Sequence, residues 1–158
     1  MQPLQIGVCS WSLAIPDLRR TLAAVRDPLG LEVVHLGFFD DSYKNRDEVI
    51  NIVHASGVQV SATAVGFAGE DYATIQRIAA TGGYRPDADW PARRDKTAAV
   101  ADLTRELGVK LLSTHVGFVP HDPKDPAYAV MIDRIKEVAD ILGQRALTLL
   151  METGQESA

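Results

Sequence analysis

At 158 residues the chain has about the length of one domain with a real core. Apolar residues make up 46% and charged residues 23%, which excludes a disordered chain, and a net charge of -5 without a Lys/Arg block argues against non-specific binding to nucleic acid or to an anionic membrane. Cys9 is the only cysteine, so no intrachain disulfide is possible; with no signal-peptide pattern at Met1-Gln-Pro-Leu-Gln5 and no bilayer-length apolar run, a cytoplasmic location is expected.

Leu4 to Cys9 reads as a first strand, ending in Ser10-Trp11-Ser12. Pro16 suits the first residue of a helix, and Leu18, Leu22 and Val25 recur at helical spacing until Asp27-Pro28 and Gly30 end it. Leu31 to Leu36 is the second strand, with Gly37-Phe38-Phe39-Asp40-Asp41 leaving its tip. A helix from about Arg46 to Ala55 places Val49, Ile52 and Val53 on one face, and Gly57 stops it. Val58 to Val65 is the third strand.

From Gly66 to Trp90 the rhythm breaks. A loop-like run is followed by a short helical pattern over Ala73–Ala80 and then by Thr81-Gly82-Gly83-Tyr84. Its aromatics and its short amphipathic piece predict an ordered insert lying over one end of the domain. Pro91 opens a strong helix with Val100, Leu103 and Leu107 inside and Gly108 as its stop. Val109 to Thr114 is the fourth strand and runs into His115. Asp125-Pro126 reads as a cap and first-turn proline for a helix to Leu142, burying Val130, Met131, Ile135 and Val138, with Gly143 as stop. Leu147 to Met151 then reads as a buried fifth strand that delivers Glu152 to its tip before a turn at Thr153-Gly154.

The order β-α-β-α-β-(insert)-α-β-α-β, with continuous apolar strands, predicts an α/β fold with a parallel sheet covered by helices. Two architectures compete: an open doubly wound sheet, and part of a (β/α)₈ barrel, which needs about 250 residues. Neither a G-x-G-x-x-G after the first strand nor a Walker A motif is present. Ser10, His115 and Glu152 fall at strand C-termini, where both architectures place a site.

Ile6-Gly-Val-Cys-Ser-Trp-Ser12, Gly66-Phe-Ala-Gly-Glu-Asp-Tyr72, Thr114-His-Val-Gly117 and Met151-Glu-Thr-Gly-Gln-Glu156, taken in order, resemble the sugar phosphate isomerase/epimerase family. The resemblance implies a xylose isomerase-like TIM barrel, of which residues 1–158 would be the N-terminal portion: about the first five strands and four helices, an incomplete barrel. It also implies a divalent metal (Mn, Mg, Co or Zn), with Glu152 as first ligand and the other ligands on later strands. A metal-dependent isomerase or epimerase acting on a sugar or sugar phosphate follows, with Glu152 as catalytic base next to the carbonyl. This segment alone would hold metal weakly and be inactive.

Each residue also has a plainer reading. Glu152 could be a strand-end carboxylate in solvent or paired with Arg. His115 is expected to contact substrate, ahead of binding metal, or else to be a core-edge histidine satisfied by backbone. Glu156 could bind a sugar hydroxyl or cap the next helix, and Trp11 could wall a sugar face or simply pack. His35 is expected to be packed or partly exposed, His54 and His121 to lie at the surface, Glu70-Asp71 to be a solvated charge pair, and Cys9 to be a small buried hydrophobe. Two alternatives stand beside the isomerase. One is an endonuclease of the same superfamily, weakened by the acidic charge and by Ala62-Thr63-Ala64-Val65 in place of a histidine at the third strand's end. The other is a non-catalytic half barrel whose open edges favour assembly, including a homo-oligomer. No nucleic-acid or membrane partner is expected.

Overall fold

The computed structural model describes residues 4–152. Five strands form one sheet: β1 (Gly7–Cys9), β2 (Val33–Phe38), β3 (Gln59–Val65), β4 (Leu111–His115) and β5 (Thr148–Glu152). Every neighbouring pair is parallel and the spatial order is β1-β2-β3-β4-β5. That order decides between the two architectures. A doubly wound sheet reverses direction at a switch point, so its helices divide between two faces. A sheet that advances by one strand at every right-handed crossover keeps all helices on one face, as a barrel wall does.

Four α-helices provide that cover, α1 (Leu18–Arg26), α2 (Arg46–Ser56), α4 (Trp90–Glu106) and α5 (Pro126–Gly143), and a fifth, α3 (Ile75–Thr81), lies in the insert. The four long ones fall where the periodicity puts them. α3 is the additional element, formed from the helical pattern in the insert and capped by Thr74, whose side chain accepts from the Arg77 N–H at 3.2 Å. α1 starts later than Pro16 suggests, because Asp17 is its N-cap and accepts from the Arg20 N–H at 2.8 Å. The Asp125-Pro126 start of α5 is as read: the aspartate accepts from the Ala127 N–H. Its end is not, since Gly143 stays helical and the chain reverses at Ala146, with φ 55°.

The core lies between the sheet's outer face and the helices. Val34, Leu36 and Phe38 of β2, Val65 of β3 and Leu112 of β4 pack against Leu22, Val25, Val49, Val53, Val100, Leu103, Val138 and Leu142. Val130, read as part of this face, is exposed on α5. A bulge sets which β3 residues face inward. Val34 pairs with Val60 but His35 pairs with Ala62, so Ser61 is an extra residue, and its hydroxyl donates to the Val34 carbonyl. The parity of β3 flips there. Thr63 turns outward to meet Thr104 of α4, with 2.7 Å between hydroxyls, and Ala62 and Ala64 turn to the concave face beside His35 and Gly37.

β5 departs from expectation. Leu150, Met151 and Glu152 are exposed, so it is not a buried strand. Hydrogen bonds to β4 hold it on one side, and among the described residues no strand flanks its other side. β1 likewise forms an edge and is shorter than read, with Leu4 and Ile6 exposed ahead of it.

Candidate functional site

The carboxyl ends of the strands and the insert enclose a cavity of about 420 Å³, inside the usual size range of small-molecule sites. Trp11, Phe39, Tyr72, His115 and Glu152 line it, over a floor of Ala64, Gly66 and Ser113. Three residues singled out from the sequence, Trp11, His115 and Glu152, are thus brought to one place from the turn after β1 and from the ends of β4 and β5. Glu156 and the turn at Thr153-Gly154 lie outside the described residues.

Glu152 ends β5 in register with His115 on β4. It is exposed and forms no ion pair with an arginine among the described residues. Its charge is felt on both sides of the cavity. It helps raise the Tyr72 phenol to about 12, after burial and Glu70, and it adds to the burial that raises the Cys9 thiol. Cys9 is half-buried and faces this charge, so it is not the enclosed hydrophobe expected from its strand.

His115 differs from a core-edge histidine satisfied by backbone. Both ring nitrogens are buried without a hydrogen-bond partner among the described residues, while the Tyr72 ring centroid lies 6.4 Å from its own. Buried polar atoms are nearly always paired, so two unpaired nitrogens set this imidazole apart from an ordinary packed histidine. His35 is a contrast: its Nε2 lies 3.2 Å from the Thr63 carbonyl and 2.9 Å from Ser113 Oγ. Its ring meets the edge of Trp11 at 4.9 Å. It therefore fixes Trp11 from below and is spent on packing, as expected. Ser10, another strand-end residue, accepts from the Gly37 N–H at 2.9 Å and ties β1 to β2.

The insert is held over the cavity by two charged side chains. Glu70 accepts from the Gly83 N–H at 2.8 Å and from the Phe67 N–H at 3.2 Å, so it is not a solvated acid as its place in the sequence suggested. Arg93 of α4, 4% exposed, donates to the carbonyls of Thr81, Gly83 and Ala68 and to Asp89, and covers the Phe67 ring at 5.2 Å. Gly83 and Gly117, both at positive φ, let the insert touch the loop after β4; a Cβ on Gly83 would stand 2.2 Å from the Gly117 nitrogen.

Sequence reading assigned no role to two lining residues, Phe39 at the tip of the second strand and Tyr72 in the Gly66–Tyr72 motif, because single aromatics in loops carry no periodic signal. For a divalent metal the donor set is incomplete: Glu152 and His115 are the candidate donors, Glu70 is engaged by backbone, and no group of three ligating side chains occurs among the described residues. These residues do not make a metal centre by themselves.

The sequence profile of the xylose isomerase-like TIM barrel family matches residues 23–157, and the chain belongs to that family. No functionally curated protein matches the chain by sequence. Among solved structures, a xylose isomerase domain protein from Planctomyces limnophilus is similar at TM-score 0.82 and 23% identity, over 99% of this chain and 57% of that one. D-Psicose 3-epimerase with D-tagatose from Clostridium cellulolyticum H10 matches at TM-score 0.60 and 14% identity, over 94% and 52% of the two chains. A xylose isomerase-like TIM barrel protein from Mycobacterium smegmatis in complex with magnesium matches at TM-score 0.54 and 14% identity, over 83% and 44%. The likeness is one of fold. The chain spans about half the length of the structures it matches.

Proposed function

We propose that this chain carries the proton-transferring half of a sugar isomerase or epimerase. The observation that carries the reading is the pairing, at neighbouring strand tips, of the exposed Glu152 carboxylate with His115, whose two ring nitrogens are buried and have no partner among the described residues. A carboxylate facing a cavity can take the proton from carbon next to a carbonyl and return it, to the other face or to the neighbouring carbon. His115 would hold a hydroxyl or carbonyl oxygen beside it through its ring N–H. The insert, closed by Glu70 and Arg93, would limit water at the reacting carbon. Because the described residues lack a full metal donor set, the role of Glu152 is derived from its carboxylate alone.

The test is exchange of the carbon-bound proton of a ketohexose in D₂O, followed by NMR, for wild type and Glu152→Gln. General-base loss predicts a fall of about 10²–10⁴-fold. Exchange in the variant within tenfold of wild type would overturn the assignment.

A further inference from the structure

His35 reaches across the sheet. Strands two places apart stand about 9.5 Å from each other. The ring nevertheless joins β2 to β4: its Nε2 lies 2.9 Å from Ser113 Oγ and 3.2 Å from the Thr63 carbonyl on the strand between them. The path is open because the bulge at Ser61 turns Ala62 and Ala64, and not Thr63, to this face. Trp11 closes over the ring, edge to face at 4.9 Å.

These partners fix the protons. A carbonyl oxygen only accepts, so the Nε2 that meets the Thr63 carbonyl carries the hydrogen, and the same N–H is shared with Ser113 Oγ. Ser113 therefore accepts from His35 and does not donate to it. Its own O–H has no acceptor among the described residues, where His35 is the one partner of that hydroxyl. Ser113 is 8% exposed and lines the cavity beside Ala64, its neighbour on β3. A hydroxyl proton held there without an acceptor costs free energy until a group in the cavity takes it. Ser113 also lies deep. It stands two residues before His115 on the same face of β4, about 6.5 Å below the strand tip where Glu152 and His115 meet.

We infer that Ser113 is a specificity-determining residue: its hydroxyl, oriented by His35, donates to an oxygen at the end of the sugar that enters the cavity deepest. His35 is a positioning residue, acting only through Ser113. A site built to donate to an oxygen rejects an analogue that lacks it, because the donor is left unpaired. The inference rests on the reading of this cavity as a sugar site.

Two measurements on the full chain test it, both apart from turnover. Long-range ¹⁵N–¹H NMR of the histidine rings reads the proton directly: His35, identified by the signal that His35→Gln loses, should carry it on Nε2. A proton on Nδ1 with a bare Nε2 would overturn the inference. Calorimetry and saturation-transfer NMR then compare D-fructose with 1-deoxy-D-fructose and 6-deoxy-D-fructose, each lacking one terminal oxygen. One of the two deoxy sugars should bind wild type about tenfold more weakly than fructose, or worse. Ser113→Ala should bind fructose and that analogue alike, and Ser113→Thr, which keeps the hydroxyl, should retain the preference. His35→Phe keeps a ring beneath Trp11 without the N–H and should reduce the preference; His35→Gln, which restores an N–H at similar reach, should recover it. Circular dichroism confirms that each variant is folded. Both deoxy sugars binding as well as fructose, a preference unchanged in Ser113→Ala, or no fructose binding at all would each overturn the inference. A Ser113-dependent preference in a protein without Glu152-dependent exchange would defeat the proposed reaction and leave this donor standing. Glu152-dependent exchange in a protein that does not distinguish the three sugars would do the reverse.

Discussion

Replacing Arg93 by alanine should open the insert and destabilise the fold together. Arg93 donates at 2.8 Å to the Thr81 carbonyl, at 2.5 Å to the buried Gly83 carbonyl and at 3.3 Å to the Ala68 carbonyl. Hydrogen bonds from a charged donor contribute about 1.5–3 kcal/mol each, and the two short ones dominate. The ion pair with Asp89 adds little, because that carboxylate is 53% exposed. Allowing for water reaching the partly buried carbonyls, Arg93→Ala should cost about 3–4 kcal/mol, including the lost cover over Phe67. Arg93→Met, which keeps an apolar stem over the ring, should cost about 1 kcal/mol less. Equilibrium unfolding in urea, followed by far-UV circular dichroism and by tryptophan fluorescence, measures both. A loss below about 1 kcal/mol for Arg93→Ala would show that the insert is held by something other than these bonds and would refute the reasoning. Hydrogen exchange at the Gly83 and Tyr84 amides gives the local readout, since Gly83 donates to Glu70 and Tyr84 to the Val116 carbonyl.

Three further outcomes are expected. Tyr84 is fully buried and burial raises its phenol to about 12, so the folded state favours the protonated form: its stabilisation is complete below about pH 10 and is lost as pH rises from 10 through 12. Tyr84→Phe should flatten that alkaline loss of stability at a cost of about 1 kcal/mol at neutral pH, from the hydroxyl contact with Thr97, and alkaline melts of both proteins check it. The exposed apolar edge at Leu150 and Met151 should make the 158-residue chain self-associate, and Met151→Lys should shift sedimentation profiles toward monomer; a monodisperse wild-type monomer would count against the open edge as an adhesive surface. Calorimetric titration of Mn²⁺ into this chain should show no stoichiometric submicromolar site, because Glu152 and His115 alone supply too few donors; tight one-to-one binding would contradict this.

Most of what is local follows from the order of the amino acids. Period-3.6 runs such as Val49-Ile52-Val53 located the helices, because a helix in this fold buries a single stripe. Short apolar runs between Gly and Pro located the strands, and their ends marked Trp11, His115 and Glu152 as neighbours-to-be. The alternation of elements alone fits a doubly wound sheet and a barrel wall; the motif resemblance pointed to the barrel, and the pairing β1-β2-β3-β4-β5 bears it out. Exposure of β5 was hidden, because an apolar run records what a strand can bury and not whether anything lies beside it. The bulge at Ser61, which turns Ala62 and Ala64 to the cavity, is a register effect between two strands distant in sequence. Glu70 and Phe39 acquired their roles the same way. One closes the insert through amides up to thirteen residues away, and the other fills space left by glycines on two different strands' ends. Such contacts are set by three-dimensional closeness, to which the periodicity of a single chain segment is blind.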